Sequence, residues 1–249
     1  HIDRAVLRAG AGILLGGCPW VAAAFTSSFG GCVGHLCPRD PRHRGEVRLI
    51  ERRAPSELAF DARSASAIPG ALIGIVLYSA IFAVFWLMGI LKYGGFNGFG
   101  GLSTALVVPL CAAVGEEIIF RGAIFRIIED ATGTLAALII SSIVFGGAHL
   151  STHTVLDSSP RILIGLLLGT AYAATRSLWF PIGIHLGWDF TDGGLFGQDH
   201  AHGLLNIGHP VGHAHLVDMV GAVALPVVCL IASALLGWAT IRRGHWHPL

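Results

Sequence analysis

Long runs of apolar residues recur along this 249-residue chain, and they restrict its fold more than any other feature. A helix needs about 20 apolar residues to cross the hydrocarbon core of a bilayer, and fewer where neighbouring helices shield it. Seven runs of roughly this kind lie near residues 5–26, 68–91, 102–128, 134–150, 160–175, 179–191 and 216–241. The pattern predicts an all-α fold, a polytopic transmembrane bundle of about seven membrane helices.

The composition agrees with lipid as the solvent of this chain. Charged residues make up 12% of it, where a soluble domain carries about 25%, and the mean hydropathy is +0.69. Helices suit such surroundings because they pair their backbone polar groups internally. The net charge is only +1 and no basic stripe is visible, so we expect a bilayer as partner and no nucleic acid.

We expect a single membrane domain over residues 1–249, with a motif-bearing core at 100–192. Two loops separate apolar runs, a polar one at 30–66 and a histidine-rich one at 192–215. The histidine-rich loop is either a transition-metal site or a solvated loop, and its low-complexity composition favours the solvated loop.

The polar loop at 30–66 indicates the orientation of the chain. It is rich in arginine, and positive charge in short loops stays on the cytoplasmic side of a membrane. Alternation along the chain places four further arginines on that side, Arg126, Arg176, Arg242 and Arg243. The C-terminus is then cytoplasmic and the N-terminus outside, in an integral protein of a bacterial inner membrane.

Ionisable residues inside apolar runs point to function, because each costs about 2.5–3.5 kcal/mol to insert. One motif of this kind reads Glu116-Glu117-x-x-x-Arg121. Glu117 and Arg121 are four residues apart and share a helix face, which predicts a structural ion pair. Glu116 points about 100° away from its neighbour and has no partner on its own helix. It is therefore the candidate general base.

Two further motifs hold histidine. Phe145-x-x-x-His149 places an imidazole beside an aromatic ring, and His185-x-x-x-Asp189 places an imidazole and a carboxylate on one helix face. We expect Glu116, His149, His185 and Asp189 to meet in one polar pocket. His149, His185 and Asp189 are candidate ligands for a divalent metal, zinc first, because two histidines and a carboxylate are a common hydrolytic set. Without metal, Glu116 would activate water and His185 would hold an oxyanion.

The order and spacing of these motifs resemble the CPBP family, the CAAX-protease and bacteriocin-processing intramembrane proteases, also called the Abi family. The resemblance covers roughly residues 100–192, and Glu116-Glu117 with Phe120-Arg121-Gly122 is its most specific part. It implies a bundle of membrane helices whose active site lies in a cavity open to water and to lipid.

The resemblance also implies roles for the site residues. Glu116 would activate the attacking water with the help of His149, and His185 and Asp189 would polarise the scissile carbonyl or bind metal. The sequence departs from the family at Asp189, where members that process prenylated proteins carry Asn. An ionised Asp cannot donate a hydrogen bond to an oxyanion, but it is a good metal ligand. The departure favours a metal-bound site and speaks against true CAAX substrates.

Three functions are compatible with these observations. The first is a CPBP-type intramembrane metalloendopeptidase that hydrolyses peptide bonds of membrane-associated proteins or peptides. The second is a non-catalytic subunit or assembly factor, with a partner in a larger membrane complex. The third is a transporter whose buried Glu and His residues relay protons or metal ions. The complete set of motifs favours the protease, and the lack of an inverted repeat speaks against the transporter.

Overall fold

The computed structural model describes residues 61–100, 102–150, 155–197, 203–208 and 214–246. The apolar run expected at 5–26 and nearly all of the polar loop at 30–66 lie outside these residues, as does part of the histidine-rich loop. What the sequence predicts for those parts stays a prediction.

Six α-helices make up most of the described chain. They are α1 (Ala67–Leu87), α2 (Leu102–Glu117), α3 (Arg126–Ala148), α4 (Val155–Thr175), α5 (Trp179–Asp189) and α6 (Ala214–Arg242). A short 3-10 helix, Ala62–Ser66, precedes α1, and the π-helical segments Ile118–Phe125 and Phe190–Leu195 follow α2 and α5. Strands β1 (Lys92–Phe96) and β2 (Leu205–Gly208) pair in an antiparallel sheet. The structure is therefore mostly helical, as expected.

The apolar run Ala105–Ala148 is a helical hairpin that turns at Gly133. Gly133 has φ 82° and ψ 169°, a backbone conformation that glycine adopts with little strain. The rings of Phe120 and Phe145 lie only 5.0 Å apart between centroids. A straight helix would separate these residues by about 37 Å, so the chain must reverse between them. The reversal agrees with the two separate helices that hydropathy indicated on either side of this glycine.

Glycines allow α1 and α5 to pack with their backbones in contact. A Cβ atom at Gly70 would lie 2.5 Å from the carbonyl oxygen of Phe180, and one at Gly74 would lie 2.1 Å from that of Ile184. Close approach through small residues is typical of helix pairs in lipid. Because the contacts advance in the same direction along both helices, α1 and α5 are parallel. This pairing fixes the helix that carries the His185-x-x-x-Asp189 motif.

α4 lies in the centre of the bundle and packs on both α3 and α6. Its residues Leu167 and Leu168 are fully buried. Gly169 faces Leu138 of α3, and Gly146 of α3 faces Ile162 further back on α4, so these two helices are antiparallel. α4 therefore supports the hairpin along its second arm.

Three helical stretches of the described chain are long and apolar enough to cross a membrane: Ala62–Leu87, Val220–Arg242 and Ala105–Ala148, the last being the hairpin taken as one stretch. Large apolar side chains cover their outer surfaces; Leu87 is 85% exposed and Leu235 is 64% exposed. Such surfaces are stable in lipid and not in water. The protein is therefore an integral membrane protein, while the number of seven membrane helices stays a prediction.

A polar cluster closes the bundle at the end where the hairpin turns. Arg176 donates two hydrogen bonds to the carboxylate of Glu129, at 2.5 and 3.0 Å, and one to the backbone carbonyl of His245. Thr134 donates to the same carboxylate at 2.6 Å. We call these four residues the Arg176 clasp, and they join the hairpin turn, the end of α4 and the chain after α6.

Two of the arginines assigned to the cytoplasmic side lie together at this end. Arg243 donates to the carbonyl of Ala174 at 3.3 Å, two residues before Arg176. Their common location agrees with the alternation of helices along the chain. Which face of the membrane this end occupies stays a prediction.

Candidate active site

The three sequence motifs come together inside the bundle. Glu116 lies near the end of α2, His149 directly follows α3, and both His185 and Asp189 belong to α5. Oε2 of Glu116 lies 4.0 Å from Nε2 of His149 and 3.9 Å from Nε2 of His185. Oδ2 of Asp189 lies 3.4 Å from the same nitrogen of His185. The structure thus brings the four candidate residues to one pocket, and their catalytic roles stay predictions.

The end of α3 orients His149. Nδ1 of this imidazole lies 2.8 Å from the carbonyl oxygen of Phe145, one turn earlier. Carbonyls in the last turn of a helix have no backbone partner, so a side chain four residues on can donate to them. With its proton on Nδ1, a neutral His149 presents Nε2 as an acceptor toward Glu116. The Phe145-x-x-x-His149 spacing therefore sets both the position and the tautomer of this histidine.

His185 has a different environment, with a carboxylate near each ring nitrogen. Nδ1 lies 2.9 Å from Oε1 of Glu117, a side chain with no exposed surface. Nε2 faces Asp189 at 3.4 Å. Carboxylates commonly fix the orientation and tautomer of a functional histidine in this way. Because carboxylates flank both of its ring nitrogens, His185 is suited to donate hydrogen bonds, whereas His149 is suited to accept one.

Glu117 and Arg121 form the ion pair that their spacing indicated. Nη1 of Arg121 lies 2.8 Å from Oε1 of Glu117, and both side chains are fully buried. Nη2 donates to the carbonyl of Gly165 on α4 at 2.9 Å, and the guanidinium lies 4.6 Å from the ring centroid of Phe145. The pair therefore ties the first arm of the hairpin to α3 and α4. Glu117 also holds His185, a contact that sequence reasoning missed.

Both π-helical segments begin directly after site residues. Ile118–Phe125 follows Glu116 and Glu117, and Phe190–Leu195 follows Asp189. Single π-helical turns inside α-helices are frequent at functional sites, because they redirect the side chains on either side. A helical period of 3.6 residues gives no sign of these segments, so the sequence did not predict them.

The pocket is buried on one side and open on the other. The side chain of His185 is 7% exposed, whereas those of Glu116, His149 and Asp189 are 20, 23 and 33% exposed. Oε2 of Glu116 is buried and accepts no hydrogen bond from any described residue. A buried carboxylate oxygen without a donor is uncommon in folded proteins. Glu116 therefore has capacity for a further molecule, and its side chain is partly exposed.

The residue types in the pocket suit zinc, but their placement does not form a metal centre. Imidazole nitrogens and carboxylates are ordinary zinc ligands, at about 2.0–2.2 Å from the ion. Among the residues that the structure describes, no group of three or more His, Cys, Asp or Glu side chains is arranged to hold a metal ion. The requirement for zinc stays a prediction from the residue types.

These features define an integral membrane protein with carboxylates and imidazoles gathered in a pocket inside its helical bundle. Residues 98–191 match the family described as "Type II CAAX prenyl endopeptidase Rce1-like". A stretch of 82 residues is 34% identical to the "Putative membrane peptidase YdiL" of Bacillus subtilis (strain 168). That alignment covers 32% of this chain and 32% of the relative, about a third of its length. No solved structure matches the chain.

Over residues 98–191, the segment that carries its motifs, the chain is similar to the CPBP family. The matched residues 98–191 include the whole candidate pocket, from Glu116 to Asp189. The resemblance drawn from the motifs is thus confirmed by independent matches to a protease family and to a relative named as a membrane peptidase.

Proposed function

We propose that this protein is an intramembrane endopeptidase that hydrolyses peptide bonds of membrane-associated peptides or proteins. The observation that carries the proposal is the buried Oε2 of Glu116, which faces the acceptor nitrogen of His149 at 4.0 Å. Two acceptors at this separation cannot hydrogen-bond to each other, but one water molecule can donate to both. The pocket is therefore suited to hold a water molecule between a base and an imidazole.

Hydrolysis follows from this arrangement. Glu116 removes a proton from the water molecule while the water oxygen attacks the carbonyl carbon of the substrate, and His149 orients the water through its second hydrogen. The carbonyl oxygen becomes an oxyanion, to which Nε2–H of His185 can donate. Glu116 then passes its proton to the amide nitrogen, the C–N bond breaks, and a carboxylic acid and an amine leave.

Asp189 and Glu117 support His185 in this scheme. The two carboxylates lie 3.4 and 2.9 Å from its two ring nitrogens, so both nitrogens can carry protons. Fixed donors of this kind stabilise an oxyanion without reorganising during the reaction. The Asp at position 189 then acts through His185, which removes the need for the amide found in other family members.

A divalent metal, zinc first, stays part of the proposal on the residue types alone. His149, His185 and Asp189 would be its ligands, and it would supply a Lewis acid for the carbonyl or lower the pKa of a bound water. The described positions of these residues do not form such a centre, and the steps above do not depend on one.

The proposal is tested with the purified full-length protein in lipid nanodiscs and a library of membrane peptides. We expect wild type to cleave a subset of the library and, in H2(18)O, to place one labelled oxygen in each new carboxylate. Glu116→Gln should keep its fold and lose cleavage, because the amide cannot accept the proton. Asp130→Asn removes an exposed carboxylate of α3 and serves as the matched control, with wild-type cleavage expected.

Cleavage by Glu116→Gln at the wild-type rate would rule out the proposed mechanism. Absence of cleavage by wild type across the library, together with stable co-purification of another membrane protein, would favour the second candidate, a non-catalytic subunit. No contact among the described residues specifically supports that second function. A partner in a membrane complex stays a prediction.

A further inference from the structure

Helix α1 contains no motif residue, yet it contacts the segment that carries Asp189. The hydroxyl of Tyr78 donates a hydrogen bond of 2.5 Å to Oδ1 of Asp192, in the π-helical segment Phe190–Leu195. Both side chains are partly buried, and they lie 114 residues apart in the chain. Asp192 is only three residues beyond Asp189. A hydrogen bond from α1 thus holds the chain immediately after the pocket.

The ring of Tyr78 adds a second contact at the start of this segment. It packs edge-on against Trp188 at 5.1 Å between centroids, with an angle of 79° between the rings. Trp188 directly precedes Asp189 and is 5% exposed. Aromatic pairs in this geometry contribute beyond the area that they bury. Tyr78 therefore contacts the chain on both sides of Asp189.

A third contact from α1 reaches the end of the same segment. Phe82, one turn after Tyr78, stacks on Phe196 at 3.9 Å with an angle of 8° between the rings. Phe196 directly follows Phe190–Leu195, and its backbone N–H donates to the carbonyl of Thr191 at 3.1 Å, the long-range bond of a π-helical turn. α1 thus contacts the π-helical segment before, within and after its residues.

These contacts matter because π-helical turns are rare and depend on their surroundings to persist. Asp189 is the last residue of α5, so the π-helical segment continues its backbone on the C-terminal side. If the segment reverted to α-helix, every residue after Asp189 would rotate about the helix axis. Asp189, which lies 3.4 Å from His185, would then lose the support that it has on its C-terminal side.

We propose that Tyr78 is a positioning residue of the candidate active site. Its hydroxyl and ring hold Asp192 and Trp188, which keeps Asp189 beside Nε2 of His185. Tyr78 acts on the site through these two neighbours. The inference rests on the proposed peptidase function, since it assigns a role in the geometry of that site. Small displacements of positioned groups are known to cost large factors in rate.

Tyr78→Phe is the informative variant, because it removes the hydroxyl and keeps the ring contacts. We expect kcat to fall about tenfold, with KM and the midpoint of thermal unfolding unchanged, because the loss concerns alignment of His185 and Asp189 in the transition state. Tyr93→Phe is the matched control: Tyr93 lies exposed on β1, and the variant should cleave at the wild-type rate.

A double-mutant cycle tests whether Tyr78 acts through Asp192. Asp192→Ala should lower kcat about as much as Tyr78→Phe, and the double variant should be no slower than either single variant, because both remove the same contact. Additive losses would overturn the proposed route. A fall in kcat that is accompanied by a comparable rise in KM and by a lower unfolding midpoint would assign Tyr78 a structural role instead.

A measurement that does not depend on substrate cleavage separates this inference from the proposed function. In (15)N-histidine spectra, with the His185 signals assigned by comparison with His185→Gln, Tyr78→Phe should shift those signals and Tyr93→Phe should not. If wild type cleaves nothing, the proposed function fails, and the spectra still test whether Tyr78 sets the environment of His185. Unchanged His185 signals in Tyr78→Phe would overturn the positioning role.

Discussion

Two Glu–Arg pairs, each with a buried glutamate, lie toward opposite ends of the hairpin, and they differ in which polar atoms they leave unpaired. In the Arg176 clasp, both carboxylate oxygens of Glu129 accept hydrogen bonds, from Arg176 and from Thr134. At the candidate active site, Oε2 of Glu117, Nε of Arg121 and Oε2 of Glu116 have no hydrogen-bond partner among the described residues. Both regions are polar and buried, but only one of them has capacity to bind something else.

The difference teaches how to tell a structural polar cluster from a functional one in this bundle. Folded proteins nearly always pair their buried polar atoms. A cluster in which every buried polar atom is paired therefore needs no role beyond stabilising the fold. A cluster with unpaired buried atoms has a stability cost of about 1–3 kcal/mol for each such atom, which indicates a function that uses them. By this criterion the clasp stabilises the fold, and the pocket is the candidate site of the proposed chemistry.

The largest effect should come from exchanging a glutamate in each region. Glu116→Gln should lower kcat/KM by roughly 10²–10⁴-fold, the usual contribution of a general base, without lowering the unfolding midpoint. Glu129→Gln should do the reverse, because its carboxylate holds Arg176 and faces no substrate. Cleavage kinetics and thermal unfolding of the same preparations measure both. If the two variants lost activity equally, the distinction between the regions would be wrong.

Removal of Arg121 tests whether the Glu117–Arg121 pair serves the stability of the fold or the reaction. Arg121→Ala leaves Glu117 as a buried charge without its cation, which should cost about 3–5 kcal/mol in free energy of unfolding and reduce the folded yield. The yield of monodisperse protein and its unfolding midpoint measure this. A variant that folds as well as wild type but does not cleave would place Arg121 in the chemistry.

Removal of Arg176 should have a smaller effect, confined to stability. Arg176→Ala removes hydrogen bonds to the carboxylate of Glu129, and its own side chain is 24% exposed, so we expect a loss of about 2 kcal/mol. Cleavage per folded molecule should stay at the wild-type value, since the clasp does not contact the pocket residues. A fall in kcat without a fall in stability would show that the clasp influences the site.

The smallest expected effect concerns metal affinity at the pocket. If zinc is the cofactor, Asp189→Asn replaces a charged ligand with a neutral one and should weaken zinc binding about tenfold, or about 1.4 kcal/mol. Metal analysis of the purified protein, and cleavage before and after a chelator, check this. Full activity after demonstrated removal of metal, with Asp189→Asn as fast as wild type, would support the metal-free mechanism in which Glu116 and His149 activate the water.

Features that depend on local spacing were predictable from the sequence. The Glu117–Arg121 pair follows from an i, i+4 spacing, and the hairpin arms follow from apolar runs on either side of Gly133. The meeting of Glu116 with both histidines followed from the cost of burying charge, since ionisable groups in a bundle collect in its interior. Local periodicity and hydropathy were sufficient for these features.

Features that depend on residues far apart in the chain were not predictable. The contact between Glu117 and His185 joins positions 68 residues apart, and the one between Glu129 and Arg176 joins positions 47 apart. Hydropathy ended the third helix at residue 128 because charged residues follow. The helix continues to Gly133 because Arg176 and Thr134 neutralise and pair the carboxylate of Glu129. No signal along the sequence links such partners.

For the proposed peptidase, the turn at Gly133 also sets how deep in the bilayer a cleavable bond would lie. His149 comes 16 residues after Gly133, a distance of about 24 Å along a helix. The hydrocarbon core is about 30 Å thick. If the charged clasp lies at one surface of the membrane, the candidate pocket lies near the opposite surface. A substrate would present bonds close to that far surface, while bonds beside the clasp would remain about 24 Å beyond reach.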